Sequence, residues 1–311
     1  MTENGLKEIA ISVVIPTYNR KALLEKTLRA LAQQTLAKSE FEVIVVDDGG
    51  EDDSEALCRD YLNELNIRYY WQPDRGFRAG KARNIGITAA EGSYIVLVDA
   101  GVLLHQHALA RHLHTHRDSQ FPVVCIGYVY GFEMPDAMLD NLNVFINPND
   151  VAASVRYFQE MNAQDIRQSQ YDEFGYNISA WPAPFDIFWT CHVSAEKNAL
   201  LQAGLFDEAF NGWGGEDVDL GVRLFLQHNR FVVNKIICSI HCPHQKHIAD
   251  HKHESENAGK KIHHKYQLWQ TAFYGCDLGE SKFSLNKVIR CCADQNRDEN
   301  HAFIRKYLYQ P

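Results

Sequence analysis

The sequence predicts an α/β protein with a mostly parallel sheet flanked by helices, and two features support this. Over the first hundred residues, short apolar runs rich in β-branched residues alternate with segments whose apolar residues recur at helical spacing. Such alternation gives parallel strands joined by right-handed crossovers. Polar residues also stand where several apolar runs end, and ligands bind at the carboxyl ends of parallel strands. We therefore expect a ligand site at that edge of the sheet.

The elements follow from apolar periodicity and from turn residues. In the first part we expect strands at 11–15, 41–46, 67–71 and 93–98, and helices at 20–33, 52–65 and 78–90. In the second part we expect a strand at 122–130, a helix at 194–203 that ends at Gly204, a helix starting at Glu216, a strand at 230–238 and a helical segment at 297–308. Residues 131–185 have poor periodicity, which leaves their structure open.

Composition narrows the class of protein. The chain has 311 residues, 45% of them hydrophobic and 23% charged, as is ordinary for a soluble enzyme. Its net charge of -9 argues against nonspecific binding to nucleic acid, although a local basic cleft is compatible with it. The start lacks a secretory pattern, no apolar run reaches the length of a membrane helix, and the eight cysteines are scattered. We expect a cytoplasmic protein, for which peripheral association with a membrane stays possible.

Five segments in a fixed order carry a family resemblance: VVIPTYNR (13–20), VIVVDDGGED (43–52), DRGFRAGKARNIGI (74–87), YIVLVDAG (94–101) and FDEAFNGWGGEDVDLGVRL (206–224). Together they resemble the GT-A glycosyltransferases of family 2, over about residues 11–105 and 187–247. The third and fifth segments are most similar to bacterial chondroitin-type polymerases and β-1,4-galactosyltransferases. The resemblance implies one continuous Rossmann-like GT-A domain with an α+β part on the acceptor side. Its expected parts are nucleotide-sugar binding at 1–120, acceptor binding and catalysis at 121–270, and a C-terminal helical segment at 271–311.

Residues at the predicted strand ends suit a nucleotide. A carboxylate after a buried strand can accept the N–H of uracil, and the resemblance gives Asp48 that role; the alternative is that Asp47 and Asp48 cap the next helix. The basic segment 75–83 can aim cations at a diphosphate, or it can be a solvated helix face. A UDP-sugar is the favoured donor, since Asp48 suits uracil. The residues that we expect at this nucleotide-sugar are Pro16, Thr17, Tyr18, Asp48, Arg78, Arg83, Asp99 and Trp213.

The Gly-rich segment before residue 216 suits catalysis on an acceptor. Trp213 offers a ring on which a sugar can stack, and Glu216 and Asp217 begin a helix, whose N-terminus stabilises ionised carboxylates. An ionised carboxylate can take the proton of an acceptor hydroxyl. By resemblance, Asp217 is the base and Glu216 orients the acceptor. The alternative is a plain acidic helix start without a catalytic role.

The metal site of the resembling family is altered here. The family's usual Asp-x-Asp motif reads Asp99-Ala100-Gly101. We expect Asp99 and His244 to hold Mn²⁺ or Mg²⁺ with the diphosphate, with His241 as second choice for the histidine. Two alternatives are that the cations of 75–83 replace the metal, and that the site is inactive. His112 and His116 have a zinc-like spacing, but we expect a solvated helix face.

These features predict an inverting glycosyltransferase that moves a sugar from a nucleotide donor to a glycan or other hydroxyl acceptor. Alternatives are a metal-independent transferase with another donor, an inactive sugar-nucleotide- or glycan-binding module, and an interaction scaffold that uses 131–190. Trp181 and Trp189 are expected to shape the acceptor site, without assigned roles. His192 stands where relatives often have Asn, so contacts there can differ.

Overall fold

A mixed eight-stranded sheet forms the centre of the molecule, as seen in a computed structural model that describes residues 8–132, 144–212, 214–243, 248–274 and 285–294. The strands are β1 (Ile11–Thr17), β2 (Phe41–Asp47), β3 (Ile67–Trp71), β4 (Tyr94–Val98), β5 (Val102–Leu104), β6 (Val123–Tyr130), β7 (His192–Glu196) and β8 (Arg230–His241). Their order across the sheet is β3-β2-β1-β4-β7-β6-β8-β5.

Helices cover both faces of the sheet. They are α1 (Lys21–Ala32), α2 (Ser54–Asp60), α3 (Ala79–Ala89), α4 (Ala108–Arg117), α5 (Val151–Glu160), α6 (Gln168–Phe174), α7 (Lys197–Gln202), α8 (Glu216–Leu226), α9 (Ile248–Tyr266) and α10 (Leu285–Asp294). Short 3₁₀ turns lie at Ile178–Ala180, Pro184–Ile187 and Thr271–Phe273. Within the described ranges, no helix is long and apolar enough to cross a membrane.

The first half of the sheet is parallel, as predicted. Strand β1 lies between β2 and β4, and β3 pairs with β2 at the edge. Every residue of β2 is buried, because its alternate side chains pack in two separate cores. Leu24 and Leu28 of α1 fill one core, and Ala82 and Ile87 of α3 fill the other. Burial on both faces explains why these strands are continuous apolar runs.

The second half of the sheet mixes directions. Strand β7 is antiparallel to both β4 and β6, and β6 is parallel to β8. The carboxyl ends of β1, β2, β4, β6 and β8 and the amino end of β7 therefore meet at one edge, which we call the site edge. The single sheet contains strands from both sides of residue 120, and the predicted division into parts stays a prediction.

Two predicted helices have the wrong extent. The helix predicted at 52–65 covers only Ser54–Asp60. The helix predicted at 194–203 begins later than expected. Residues 192–196 form strand β7, and only Lys197–Gln202 are helical. Strand β7 pairs with β4 on one side and β6 on the other, so sheet hydrogen bonds outweigh the helical pattern of residues 194–196. The helical segment predicted at 297–308 lies outside the described residues.

Candidate active site

The end of β2 carries two acidic residues with different surroundings. The Asp47 carboxylate accepts the Gly50 N–H at 2.6 Å and the Tyr69 hydroxyl at 2.8 Å, so it holds the loop after the strand. Neither aspartate caps α2, which begins without a side-chain cap. Asp48 is buried and faces Gln72 and Arg78 instead. The predicted alternative that these aspartates cap the next helix is therefore wrong, and the binding role of Asp48 stays a prediction.

The Asp48 carboxylate organises the predicted base-binding corner. Its Oδ1 accepts Gln72 Nε2 at 2.6 Å and Arg78 Nη2 at 2.8 Å, and its Oδ2 accepts the Arg78 N–H at 2.8 Å. Arg78 therefore lies at the base-binding corner rather than free to face a diphosphate. Sequence reasoning missed Gln72. The signal was available, since Gln72 follows β3 directly and lies in register with Asp48 and Tyr18.

Around this corner lie the other residues predicted at the nucleotide. Tyr18 is 46% exposed and donates its hydroxyl to Asp74 at 3.0 Å, which leaves its ring open to a ligand. Pro16 is partly buried and Thr17 is buried. Several buried atoms at the site edge have no hydrogen-bond partner among the described residues: Thr17 Oγ1, Gln72 Oε1, Arg78 Nε, Arg83 Nε and Glu216 Oε2. Buried polar atoms are normally paired, so this concentration marks a place where a polar ligand belongs.

Arg83 joins the donor side of the site edge to Glu216, the neighbour of the predicted base. It projects from α3, and its side chain is 6% exposed. Its Nη2 donates to Asp99 Oδ1 at 2.8 Å, and its Nη1 donates to Glu216 Oε1 at 3.3 Å. Burial disfavours the charge, but Asp99 and Glu216 outweigh that effect, so the pKa of Arg83 lies above its usual value. One guanidinium thus lies between the end of β4 and the start of α8.

The two carboxylates at the start of α8 are less acidic than usual. Burial raises the pKa of Glu216, against the pull of Arg83. Burial and then the neighbouring Glu216 raise the pKa of Asp217 to about 7, while Arg83 and the N–H groups of Val218 and Thr190 lower it. A carboxyl group with a pKa near neutral is suited to accept a proton at physiological pH.

Helix α8 is held firmly behind these carboxylates. Asp219 is fully buried and accepts from Arg223 at 2.7 Å, Lys265 at 2.9 Å and Tyr266 at 2.8 Å. These contacts tie α8 to the end of α9. At the N-cap, Gly215 has φ +94°, and a Cβ there would lie 2.5 Å from Ala258. The start of α8 therefore requires glycine at this position.

The described residues do not make up a metal-ligand set. Asp99 contributes one carboxylate, and Arg83 already occupies its Oδ1. Gly101 has φ +98°, and a Cβ there would lie 3.4 Å from Leu23, so a carboxylate at this position would be strained and start against α1. No cluster of three potential ligands occurs among the described residues. His244 and Trp213 lie outside the described residues.

The prediction for His112 and His116 is wrong, because both are buried. His112 Nε2 contacts His192 Nε2 at 3.0 Å, and Ser194 Oγ contacts His112 Nδ1 at 2.8 Å and His116 Nε2 at 2.7 Å. His192 Nδ1 contacts Ser239 Oγ at 2.9 Å, so His192 belongs to this buried chain rather than to the cleft. Burial lowers the pKa of His116 to about 4 and that of His192 to about 3, and it lowers that of His112 well below its usual value.

The two tryptophans of the predicted acceptor region have separate surroundings. Trp181 is 4% exposed and donates Nε1–H to Gly175 O, so it packs in the core. Trp189 is partly exposed, donates Nε1–H to Asp186 O and lies 5.2 Å from the Arg167 guanidinium. Of the two, Trp189 alone lies beside the site edge, directly before Thr190.

Comparison with known families agrees with this geometry. The family model for glycosyl transferase family 2 matches residues 12–191, more than half of the chain. The chain belongs to this family. A second model, described as the N-terminal domain of galactosyltransferase, matches residues 174–252, which include Glu216 and Asp217.

Among named relatives, the chain is 36% identical over 241 residues to validoxylamine A glucosyltransferase of Streptomyces hygroscopicus subsp. jinggangensis. It is 33% identical over 269 residues to hyaluronan synthase of Pasteurella multocida. These matches cover 76% and 82% of this chain, but only 56% and 26% of the relatives. The chain therefore spans about half the length of the glucosyltransferase and about a quarter of the length of the hyaluronan synthase.

Solved structures show the same fold. Residues 1–349 of TarS from S. aureus in complex with UDP-GlcNAc superpose with a TM-score of 0.60 at 18% identity, covering 93% of this chain and 77% of that one. The mannosyltransferase PcManGT from Pyrobaculum calidifontis, in complex with GDP-Man and Mn²⁺, gives 0.55 at 16% identity, covering 96% and 84%. At these identities the likeness confirms the predicted GT-A architecture.

Proposed function

We propose that this chain is an inverting glycosyltransferase that moves a sugar from a UDP-sugar to a hydroxyl acceptor, with Asp217 as general base. The observation that carries the proposal is the position of Arg83. Its two terminal nitrogens reach Asp99 at the end of β4 and Glu216 at the start of α8. The predicted donor edge and Glu216, the neighbour of the predicted base Asp217, therefore lie on the two sides of one guanidinium.

The reaction follows from this arrangement. The acceptor hydroxyl attacks the anomeric carbon while Asp217 takes its proton, and the bond to the nucleotide diphosphate breaks. One base opposite one leaving group is a single in-line displacement, which inverts the anomeric centre. The cation of Arg83 offsets the charge that develops on the departing diphosphate. Holding both substrates in line provides much of the acceleration.

The donor is proposed to be a UDP-sugar. The corner of Asp48 and Gln72 offers oxygen acceptors, which suit the N–H of uracil. TarS in complex with UDP-GlcNAc shares the fold, which is consistent with such a donor. A divalent metal stays a prediction from the family. With Asp99 as the single described carboxylate for it, we expect weak affinity for Mn²⁺ that depends on bound nucleotide.

A panel of nucleotide sugars, each with and without Mn²⁺ and candidate acceptors, tests this function through release of free nucleotide. We expect release from a UDP-sugar that Asp217→Asn abolishes while UDP still binds. Asp118→Asn, which changes an exposed aspartate at the end of α4, is the matched control and should keep activity. Tight binding without release from any donor would instead show a sugar-nucleotide-binding module. Full activity in chelator, or strong metal binding without nucleotide, would contradict the proposed metal site.

A further inference from the structure

Three residues of α3 face the segment that leads to the base. Gly80, Arg83 and Asn84 lie on one side of the helix, and Phe206 packs against it. A Cβ at Gly80 would lie 3.3 Å from Phe206 Cβ and 3.8 Å from Glu216 Cβ. The helix backbone therefore approaches this segment about as closely as glycine allows.

Asn84 forms hydrogen bonds to this segment through both the oxygen and the nitrogen of its side-chain amide. Its Oδ1 accepts the Phe206 N–H at 2.8 Å, and its Nδ2 donates to the Phe206 carbonyl at 2.9 Å. Nδ2 also lies 3.3 Å from Glu208. Two hydrogen bonds to the same backbone residue fix both its distance from α3 and its orientation.

Phe206 in turn supports Arg83. The Phe206 ring lies 5.5 Å from the Arg83 guanidinium, while Asp99 and Glu216 take the two terminal nitrogens. The ring thus bounds the guanidinium on a side where no carboxylate holds it. A shift of Phe206 would allow Arg83 to move away from Glu216.

We propose that Asn84 is a positioning residue that, through Phe206, holds Arg83 between Asp99 and Glu216. This inference rests on the proposed function and deepens it. Helix α3, on the donor side, and the segment that leads to the base then act as one unit. The side chain of Asn84 is bonded to Phe206 and Glu208, so its role is exerted through Arg83.

The consequence for the base can be worked out from its neighbours. The described charged or titratable groups that act on Asp217 are Glu216, which raises its pKa, and Arg83, which lowers it, and the Tyr274 phenol also lies within its field. If Arg83 moves away, the lowering contribution weakens. The pH at which Asp217 becomes ionised then rises.

The test is the pH profile of kcat/KM for wild type, Asn84→Ala and Asn84→Asp. Asn84→Ala removes both hydrogen bonds, and Asn84→Asp keeps the acceptor but turns an oxygen toward the Phe206 carbonyl. We expect both variants to move the acid-side midpoint upward by about half to one pH unit, with a donor KM changed less than about threefold. Asn198→Ala, an exposed asparagine on helix α7, is the matched control and should leave the midpoint in place.

A merely structural role predicts something different. Activity would fall by the same factor at every pH, in step with the folded fraction from thermal melting, and the midpoint would stay. That result in the nearly isosteric Asn84→Asp would overturn the inference. It is distinct from failure of the proposed function, in which the wild type itself releases no nucleotide from any donor.

Discussion

The variant Arg83→Gln tests how much of the free energy of unfolding depends on the one buried cation that joins the donor edge to the base segment. The Arg83 side chain is 6% exposed and the Glu216 side chain 8%, and their closest atoms are 3.3 Å apart. At an effective dielectric constant of about 20, the attraction between such charges is about 5 kcal/mol, and the cost of burying them offsets part of it. Removing one partner of a buried pair typically costs about 3–5 kcal/mol, because the other charge is left unpaired.

We therefore expect Arg83→Gln to lower the free energy of unfolding by about 3 kcal/mol at pH 8. The loss should be smaller at pH 5, because an unpaired, buried Glu216 has a raised pKa and can take up a proton in the folded state. Urea denaturation of wild type, Arg83→Gln, Glu216→Gln and the double variant at both pH values measures this. Arg29→Gln breaks an exposed pair with Glu25 and, as the control, should cost less than about 1 kcal/mol.

Two results would refute this reasoning. If the double variant lost the sum of the two single losses within about 0.5 kcal/mol, Arg83 and Glu216 would not be coupled. If the loss in Arg83→Gln were the same at pH 5 and pH 8, the remaining Glu216 would not be an unpaired buried charge.

Three further predictions concern the base, the buried histidines and the acceptor region. Because the pKa of Asp217 is raised to about 7 and a base must be ionised, wild-type kcat/KM should rise about tenfold per pH unit below pH 7 and level off above it; a flat profile from pH 5 to 8 would exclude Asp217 as the base. The pKa of His192 is lowered to about 3, so its stabilising contribution is complete above about pH 6.5 and is lost as the pH falls. Between pH 6.5 and 4, unfolding free energies from urea titrations should therefore fall more steeply in wild type than in His192→Asn, by about 1.4 kcal/mol per pH unit, and equal slopes would contradict the buried neutral imidazole. Arg167→Met should lower the free energy of unfolding by about 3–5 kcal/mol, since it leaves the buried Asp165 carboxylate without the guanidinium 2.7 Å away; a loss below about 1 kcal/mol in thermal or urea unfolding would show that the pair is not structural.

Much of the fold could be predicted because its signals are local. A fully buried parallel strand is a continuous apolar run, and a helix has its own periodicity, so the order of strands and helices over residues 11–98 is predicted correctly, although the helix predicted at 52–65 covers only Ser54–Asp60. The strand His192–Glu196 was not predicted, because its signals are not local. Its partners are β4 and β6, which are distant in sequence, and a five-residue segment carries too little pattern to reveal them.

The histidines show the limit of such reasoning most plainly. Spacing alone could not separate a solvated helix face from a buried one on α4. The deciding fact is that Ser194 and His192 of β7 lie opposite α4. Ser194 contacts His112 Nδ1 and His116 Nε2, and His192 contacts His112 Nε2. Gly127 opposite His192 makes room for the ring, since a Cβ there would lie 2.2 Å from it.

The sequence by itself determined the α/β class, the family resemblance and the polar residues at the strand ends, because strand ends and motif order are properties of the chain. Only the tertiary structure decided which of those residues meet. Arg83 and Glu216 are 133 residues apart, and packing of α3 against the Phe206 segment brings them together. Gly101, where the family's motif usually has a carboxylate, shows the same division between sequence and structure. The sequence shows that it is absent, and the backbone shows why a side chain there would point at Leu23, since a φ of +98° turns the Cβ toward α1.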